Sequence, residues 1–209
     1  MEAKIRKNIL PGREAHAIMT HESRRSELQK LDFSTLDAKV ASVMVLLYPN
    51  ANHQVQLVLI RRNKYPGVHS NQIGLPGGAF EVSDPDTECT ALRETEEEIG
   101  VNKNEICVLK KLTPLYIPPS NFLVHPFLGI CEFTPDFIPQ ETEVEEIIEI
   151  ELSDLLADGH VQLKEVSSAY MPATKVTCFY LKNQIIWGAT AMVLSELKQF
   201  IKKIEEDKK

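Results

Sequence analysis

The stretch that decides the fold is GGAFEVSDPDTECTALRETEEEIGV, residues 77–101. Its two leading glycines are typical of a tight loop, and the residues that follow predict a helix. Asp84 is a favourable N-cap, and Pro85 suits the first helical position because its missing N–H would have no helical partner there. Gly100 predicts the end of the helix, since glycine adopts the left-handed conformation that terminates helices. The stretch therefore predicts a loop, a helix and a sharp stop.

The predicted helix has two chemically different faces. At about 100° per residue, an apolar stripe that includes Leu92 and Ile99 lies opposite a cluster of carboxylates, Glu94, Glu97 and Glu98. In an ordinary helix such like charges repel one another by a few tenths of a kcal/mol per pair. A hard cation would explain the grouping, because Mg²⁺ binds a few carboxylate oxygens and leaves positions for water and for phosphate oxygens. The alternative is a solvated acidic face, which is the usual role of a run of charge.

The same residues carry a family motif. Residues 78–101 read G-x5-D-x8-R-E-T-x-E-E-x-G-V, which resembles the Nudix hydrolase signature G-x5-E-x7-R-E-U-x-E-E-x-G-U, where U is apolar. The sequence departs from it in three ways: Asp84 replaces Glu, the second spacer is one residue longer, and Thr95 replaces an apolar residue. The R-E-x-x-E-E-x-G half of the signature, which carries the metal chemistry in that family, is intact. The departures therefore concern the loop more than the metal site.

The resemblance implies a hydrolase with a divalent cation, Mg²⁺ or Mn²⁺, as its cofactor. By that resemblance Glu97 and Glu98 are metal ligands, and Glu94 is a ligand and alternatively the catalytic base. The carbonyl of Gly78 would complete the shell. The three glutamates are the catalytic candidates, because a bound metal ion can both neutralise charge on a diphosphate and activate the attacking water.

Arg93 has two interpretations. It could bind substrate, but we favour a supporting role in which its guanidinium holds a carboxylate of the loop, because an arginine fork matches the geometry of a carboxylate. That carboxylate would be Asp84 or, as the alternative, Glu81.

The segment before the signature indicates the substrate. Residues 59–78 read LIRRNKYPGVHSNQIGLPGG and resemble the segment that precedes the signature in coenzyme A diphosphatases. Gly67 departs from that pattern, which has an arginine there. A later match is the sequence LYIPPS at residues 115–120. The candidate substrate-binding residues are Arg61, Arg62, Lys64, His69, Gln72 and Tyr116.

These candidates have ordinary structural alternatives. The cations are equally compatible with solvated charges at an exposed strand end, and His69 with a loop histidine whose ring is hydrogen-bonded within the protein. Tyr116 and Trp187 could stack on an adenine, although packing in the core is the commoner role of such rings. Glu143 and Glu146 either supply an extra carboxylate that reaches the metal site or form an acidic strand edge.

Composition argues against several classes of function. The chain has 209 residues, of which 43% are hydrophobic and 25% charged, and a formal net charge of −7, as in ordinary globular proteins. The net negative charge argues against non-specific nucleic-acid binding, which needs a basic surface. No apolar run approaches the ~18 residues of a membrane span, so we expect a cytoplasmic protein without a membrane partner. Four cysteines without a C-x-x-C pair predict buried reduced thiols.

The order of the predicted elements favours a mixed sheet covered by helices. Residues 1–38 predict a polar, irregular N-terminal arm with a short helix at about 21–31, and residues 39–209 predict a Nudix domain. Strands are expected at 39–48, 55–61, 106–116, 122–133 and 146–152, a hairpin at 161–165 with 176–181, and helices at 85–99 and from 187 onward. The predicted fold class is therefore α/β, an α/β/α sandwich with a mixed central sheet, which the Nudix resemblance also implies.

The leading functional hypothesis is metal-dependent hydrolysis of the diphosphate of coenzyme A or its thioesters. The resemblance implies adenosine 3′,5′-bisphosphate and 4′-phosphopantetheine, free or acylated, as products. One alternative is another nucleoside diphosphate derivative, ADP-ribose or a dinucleotide, as the substrate. Two further alternatives are a non-catalytic nucleotide-sensing Nudix module and a Nudix isomerase. The expected partner is a small-molecule substrate, and the oligomeric state is open, with a homodimer as one alternative.

Overall fold

The computed structural model of the chain describes residues 2–20, 25, 30–168 and 171–206. The helix expected at about 21–31 lies mostly outside these residues. Strands β1 to β11 span, in order, Lys39–Pro49, Val55–Arg62, Ile73–Gly74, Gly77–Ala79, Cys107–Lys111, Leu115–Ile117, Phe122–Ile130, Val144–Glu151, Val161–Ser168, Met171–Leu181 and Gln184–Ile186. Helices α1 to α5 span Glu2–Lys7, Arg13–Ile18, Thr87–Ile99, Leu152–Leu156 and Gly188–Glu206. None of these helices is long and apolar enough to cross a membrane.

β1 lies at the centre of an eight-stranded sheet. It pairs antiparallel with β2 and β4 and parallel with β7, which in turn pairs antiparallel with β5 and β6. β3 and β8 both pair with β2. This mixed sheet confirms the predicted fold class. The single long strand expected at 106–116 is wrong, because it divides into β5 and β6 at Pro114, which has no N–H for a sheet ladder.

The two faces of β1 account for the layered arrangement. Met44, Leu46 and Tyr48 pack on one face with Ala91 and Ile99 of α3. The alternate residues of β1 pack on the opposite face with the aliphatic residues of α5. A strand covered on both faces requires this continuous run of apolar residues. Each large apolar side chain contributes roughly 1.5–3 kcal/mol when it is buried, so the two cores hold α3 and α5 on opposite sides of the sheet.

β9, β10 and β11 form a separate antiparallel sheet of three strands. The hairpin predicted between 161–165 and 176–181 is confirmed by the pairing of Val161 with Phe179. The sequence analysis did not predict β11, which follows a two-residue turn at Lys182 and Asn183. Both turn residues have positive φ angles, as the favoured hairpin turns require. The sheet brings Trp187, just after β11, next to the loop between β2 and β3.

The N-terminal arm is more regular than the sequence analysis expects. It contains α1 and α2, and Ile5 and Met19 are buried in the same core as α5. The expectation of an irregular arm is wrong because each helix has only six residues, too few to show a helical period in the sequence. The domain boundary after residue 38 stays a prediction.

The four cysteines are free thiols that differ in exposure. Cys131 and Cys178 are buried, Cys89 is half-buried and Cys107 is exposed. The expectation of buried thiols is therefore wrong for Cys107, which begins the edge strand β5. There the guanidinium of Arg6 lies 3.5 Å from its sulfur.

Candidate active site

The loop between β4 and α3 presents two aspartates with different contacts. Asp86, and not Asp84, is the N-cap of α3, because its Oδ1 accepts a hydrogen bond from the Cys89 N–H at 2.8 Å. The N-cap predicted from the sequence is therefore wrong by two residues. The physical reason is that Arg93 binds the Asp84 carboxylate instead. Gly100 ends α3 with a φ of 75°, which confirms the predicted stop.

Arg93 binds Asp84 through one edge of its guanidinium. Nε donates to Oδ1 and Nη2 to Oδ2, both at 2.9 Å. Nη2 also donates to the Ala79 carbonyl at 3.0 Å, and the Thr90 hydroxyl donates to Asp84 Oδ2 at 2.9 Å. The hydrogen bonds from Arg93 hold the pKa of Asp84 well below its usual range, and the same bonds raise the pKa of Arg93. Glu81, the alternative partner, lies farther away, at 3.9 Å.

Glu94 and Glu97 share the remaining nitrogen of Arg93. Nη1 donates to Glu94 Oε1 and to Glu97 Oε2, each at 2.9 Å. The side chain of Glu97 is 54% exposed, whereas that of Glu94 is 13% exposed. Burial raises the pKa of Glu94, and the hydrogen bond from Arg93 opposes that effect. The structure thus brings these two carboxylates together around one cationic nitrogen.

Glu98 lies apart from that pair, on the side of α3 that faces β4 and β2. It is 2% exposed, and its Oε2 accepts a hydrogen bond from the Gly77 N–H at 2.7 Å. Its Oε1 lies 3.5 Å from Arg62 Nη2 and has no hydrogen-bond partner among the described residues. Burial raises the pKa of Glu98 to about 7. The expectation that all three glutamates lie opposite the core is therefore wrong for Glu98, because Gly77 and Arg62 supply buried partners.

Gly78 makes room for the carboxylate of Glu94. A Cβ at Gly78 would lie 2.4 Å from Oε2 and 2.5 Å from Cδ and Oε1 of Glu94. Any side chain at this position would push Glu94 away, so glycine is required here by a close approach. Gly78 itself is fixed in β4, opposite Ser42 of β1. The Glu94 carboxylate therefore lies close to the backbone of Gly78.

The donor atoms of this cluster suit a hard divalent cation. Carboxylate oxygens are the ligands that Mg²⁺ and Mn²⁺ prefer, and the unpartnered Oε1 of Glu98 is a buried oxygen that lacks a donor. Among the described residues, no group of three or more acidic, His or Cys side chains is already arranged for a metal ion. Arg93 instead holds Glu94 and Glu97 together. The metal-binding role of Glu94, Glu97, Glu98 and Gly78 therefore stays a prediction.

A cavity of about 490 Å³ opens beside Gly77 and Gly78. The candidate substrate-binding residues that line it are Arg62, His69, Gln72 and Tyr116. The ring of His69 is held in place, with Nδ1 3.0 Å from Gln72 Oε1 and Nε2 3.1 Å from Ser120 Oγ. Burial lowers the pKa of His69, so the ring is neutral at pH 7. Sequence reasoning missed Ser120, although it ends the LYIPPS match.

The other two basic candidates for substrate binding, Arg61 and Lys64, do not line this cavity. Arg61 lines a second cavity, of about 670 Å³, and its side chain is held by Glu146 at 3.0 Å and Gln184 at 2.7 Å. Lys64 is exposed and lines neither cavity. The structure therefore does not bring Arg61 and Lys64 together with the acidic cluster near Gly78.

Glu143 and Glu146, at the start of β8, have different surroundings. Glu146 is paired with Arg61, which fits the strand-edge interpretation. The negative charge of Glu143 adds, after the larger effect of burial, to the raised pKa of both Glu94 and Glu98. The role of Glu143 as an extra carboxylate of the site stays a prediction.

The structure thus has a mixed sheet between two helices, with an acidic loop and helix beside a cavity. The NUDIX domain family model matches residues 38–170, and the chain belongs to this family. Membership confirms the resemblance at the level of the superfamily.

Relatives support the same assignment. The chain is 31% identical, over 68% of its length and 75% of the other protein, to "Uncharacterized Nudix hydrolase NudL" of Photorhabdus laumondii. It is 31% identical to "Nudix hydrolase 15, mitochondrial" of Arabidopsis thaliana, over 75% of this chain and 56% of that protein. A MutT/nudix family protein from Enterococcus faecalis shares the fold, with a TM-score of 0.53 and 19% identity over 93% of this chain and 73% of that one. The chain is thus a Nudix hydrolase, which favours an enzyme over the nucleotide-sensing module.

Proposed function

We propose that this Nudix hydrolase cleaves the diphosphate of coenzyme A or of its thioesters, with Mg²⁺ or Mn²⁺ as the cofactor. The products would be adenosine 3′,5′-bisphosphate and 4′-phosphopantetheine, free or acylated. One observation carries the proposal: Arg62, His69 and Gln72, which match the coenzyme A diphosphatase pattern, all line the cavity beside Gly78. The catalytic, metal-binding and substrate-binding roles that follow are parts of this proposal.

The metal-binding half of the site is built on α3 and β4. When bound, the cation would neutralise charge on the diphosphate and lower the pKa of a water molecule. Glu98 is oriented for this role by its hydrogen bond from the Gly77 N–H. Arg93 orients α3 against the loop through its two bonds to Asp84. The proposed ligands are Glu94, Glu97, Glu98 and the Gly78 carbonyl.

Glu94 is also the proposed base. Its carboxylate lies against Gly78, at the edge of the cavity, and is mostly buried. Burial raises its pKa, which makes the carboxylate a stronger proton acceptor than an exposed glutamate. A water molecule between Glu94 and the diphosphate could then lose its proton to this residue.

Arg62 supports binding of the diphosphate. Its Nη2 donates to the Gly77 carbonyl at 2.7 Å and lies 3.5 Å from Glu98, between the cavity and the acidic cluster. A guanidinium in this position can bind phosphate oxygens. The ring of His69 is hydrogen-bonded to the Gln72 amide and to the Ser120 hydroxyl. We therefore assign His69 and Gln72 to the cavity lining and not to proton transfer.

A second candidate substrate is ADP-ribose or a dinucleotide. At Gly67, where the coenzyme A pattern has arginine, a Cβ would lie 2.4 Å from the ring of Tyr65. The Tyr65 ring therefore occupies the space beside Gly67, and an aromatic ring can stack on a purine. Both residues line the larger cavity, which also contains Arg61.

A substrate panel separates the two candidates. The purified chain is incubated with coenzyme A, octanoyl-coenzyme A, ADP-ribose and a dinucleoside polyphosphate, each with Mg²⁺ or with EDTA, and the products are resolved by chromatography. We expect adenosine 3′,5′-bisphosphate from the coenzyme A substrates only when the metal is present. No metal-dependent bisphosphate would refute the proposal, and faster cleavage of ADP-ribose or the dinucleotide would establish the second candidate.

The partner in this proposal is a small-molecule substrate. The cytoplasmic location, the lack of nucleic-acid and membrane partners, and the homodimer stay predictions from the sequence. Sedimentation velocity of the purified chain tests the homodimer directly.

A further inference from the structure

The wall of the 490 Å³ cavity includes a residue of the N-terminal arm. Ala189, Met192 and Val193 of α5 line one side of this cavity, and Thr20 lies among the residues of the same lining. The family model matches residues 38–170. Thr20 and α5 both lie outside that range, so this part of the cavity is built by the chain outside the matched domain.

Glu196 anchors the arm to the rest of the protein. Its carboxylate is fully buried and accepts hydrogen bonds from the Gly12 N–H at 3.1 Å and the Thr113 N–H at 3.0 Å. His16 Nε2 lies 3.5 Å from Glu196 Oε2. Burial raises the pKa of Glu196, but the nearby His16 ring and the hydrogen bonds from Thr113 outweigh burial and leave it lowered. One ionised carboxylate thus joins the arm, the link between β5 and β6, and α5.

Two further contacts fix the part of the arm that contains Thr20. The Ser195 hydroxyl donates to the Ala15 carbonyl at 2.7 Å, and the Thr20 hydroxyl donates to the His16 carbonyl at 2.9 Å. Thr20 is 6% exposed, and the adjacent Met19 is also buried. The residues of α5 that line the cavity and those that hold the arm are one helical turn apart. Thr20 is therefore a fixed part of the wall.

Much of the cavity lining is apolar. Besides the two glycines of β4, it contains a group of aliphatic and thioether side chains: Val43, Leu75, Leu115, Val124, Met192 and Val193. Such a surface cannot satisfy the hydrogen bonds of a phosphate or a sugar, whereas it suits a hydrocarbon chain. An apolar tail on the substrate is the group that these side chains can bind.

We propose that Thr20, held in place through Glu196, takes up space in this cavity and so limits the length of the acyl tail that a substrate can carry. This inference rests on the proposed function, because the tail is the acyl group of a coenzyme A thioester. Thr20 determines specificity and has no catalytic part. Each methylene that the cavity accepts improves affinity by about fourfold, and the gain ends where the tail meets the wall.

Titration calorimetry in EDTA tests this wall without turnover, using coenzyme A and saturated acyl-coenzyme A compounds of increasing length. For the wild type, Kd should fall with chain length and then level off. Thr20→Leu should level off at a shorter chain and weaken the longest well-bound compound by about tenfold, while Thr20→Ala should level off at a longer chain. Thr35→Leu, at an exposed threonine that lines neither cavity, is the matched control and should follow the wild type.

A chain-length profile that is the same in the wild type and both Thr20 variants would overturn the inference. If circular dichroism shows that Thr20→Leu does not fold, Thr20→Ala carries the test, since it only removes atoms. The same proteins with Mg²⁺ test the proposed function separately. A profile that shifts with Thr20, but no coenzyme A turnover, would refute the function alone, whereas turnover with an unshifted profile would refute the role of Thr20 alone.

Discussion

At the scale of single residues, Glu98 is a buried carboxylate whose surroundings change its titration. Burial raises its pKa from the ordinary 4.5 to about 7. Between these two values the folded, metal-free protein keeps a proton that the unfolded chain has already lost. The free energy of unfolding therefore falls as pH rises through this window, and the stabilisation from the protonated form is complete only below it.

Glu98→Gln should remove this pH dependence, because the amide keeps an acceptor for the Gly77 N–H and does not titrate. In EDTA, the stability of the wild type should fall relative to the variant from about pH 5 to about pH 7.5, by up to about 1.4 kcal/mol per pH unit. Urea unfolding followed by circular dichroism measures both curves. Glu96→Gln is the control, since that residue pairs with exposed Lys103. Parallel curves for the wild type and Glu98→Gln would contradict the pKa assignment.

Replacement of Gly78 should lower the activity without unfolding the protein. Gly78→Ala places a Cβ within 2.5 Å of the Glu94 carboxylate and displaces it. Because a shift of about 1 Å in a catalytic group can cost about 100-fold, we expect kcat/KM to fall by roughly that factor while the protein stays folded. Gly74→Ala is the matched control for folding, since its Cβ would meet only Arg62 Nε, at 3.9 Å. Unchanged kcat/KM in Gly78→Ala would show that Glu94 is not needed at this position.

At the scale of elements, two aspartates near the start of α3 have different roles: Asp86 caps the helix, and Asp84 binds Arg93. Asp86→Ala removes an N-cap and should cost about 1 kcal/mol of unfolding free energy. Asp84→Ala leaves the half-buried Arg93 without its main partner and should cost more, about 3 kcal/mol. Urea unfolding at neutral pH measures both. Equal costs, or a larger cost for Asp86→Ala, would contradict the contacts described for Arg93.

Local patterns explain which elements could be predicted. The helix α3 and the strands β1, β2, β7 and β8 have continuous apolar runs or clear periods, and their positions were predicted to within a few residues. The N-cap could not be predicted, because both Asp84 and Asp86 suit that position and only the long-range contact with Arg93 decides between them. β11 is too short to show a period, and its existence depends on pairing with β10.

At the scale of the whole molecule, the structure depends on a polar contact between distant segments. Glu196→Ala should leave the N–H groups of Gly12 and Thr113 without a buried acceptor. We expect a loss of about 3 kcal/mol in the free energy of unfolding and faster proteolysis within the first twenty residues. Glu205→Ala, at an exposed position on the same helix, is the control. Wild-type stability and protease resistance in Glu196→Ala would contradict the anchoring role.

The acidic cluster and the cavity differ in how far they could be predicted. Glu94 and Glu97 lie three residues apart on one helix, so their spacing alone predicts that they lie close together. The burial of Glu98 depends on Gly77 and Arg62, which the helical period does not include. Thr20 and Ser120 reach the cavity from segments that are distant in the chain, and a single sequence carries no signal of that contact.

The most direct test of the account is the metal dependence of coenzyme A hydrolysis by the wild type and Glu97→Gln. Glu97 is exposed, so the variant should fold normally, and the Glu96→Gln variant of the adjacent residue is its matched control. The account predicts hydrolysis by the wild type and Glu96→Gln with Mg²⁺, none in EDTA, and at least about a 100-fold loss in Glu97→Gln. Full activity of Glu97→Gln, or equal activity in EDTA, would contradict it.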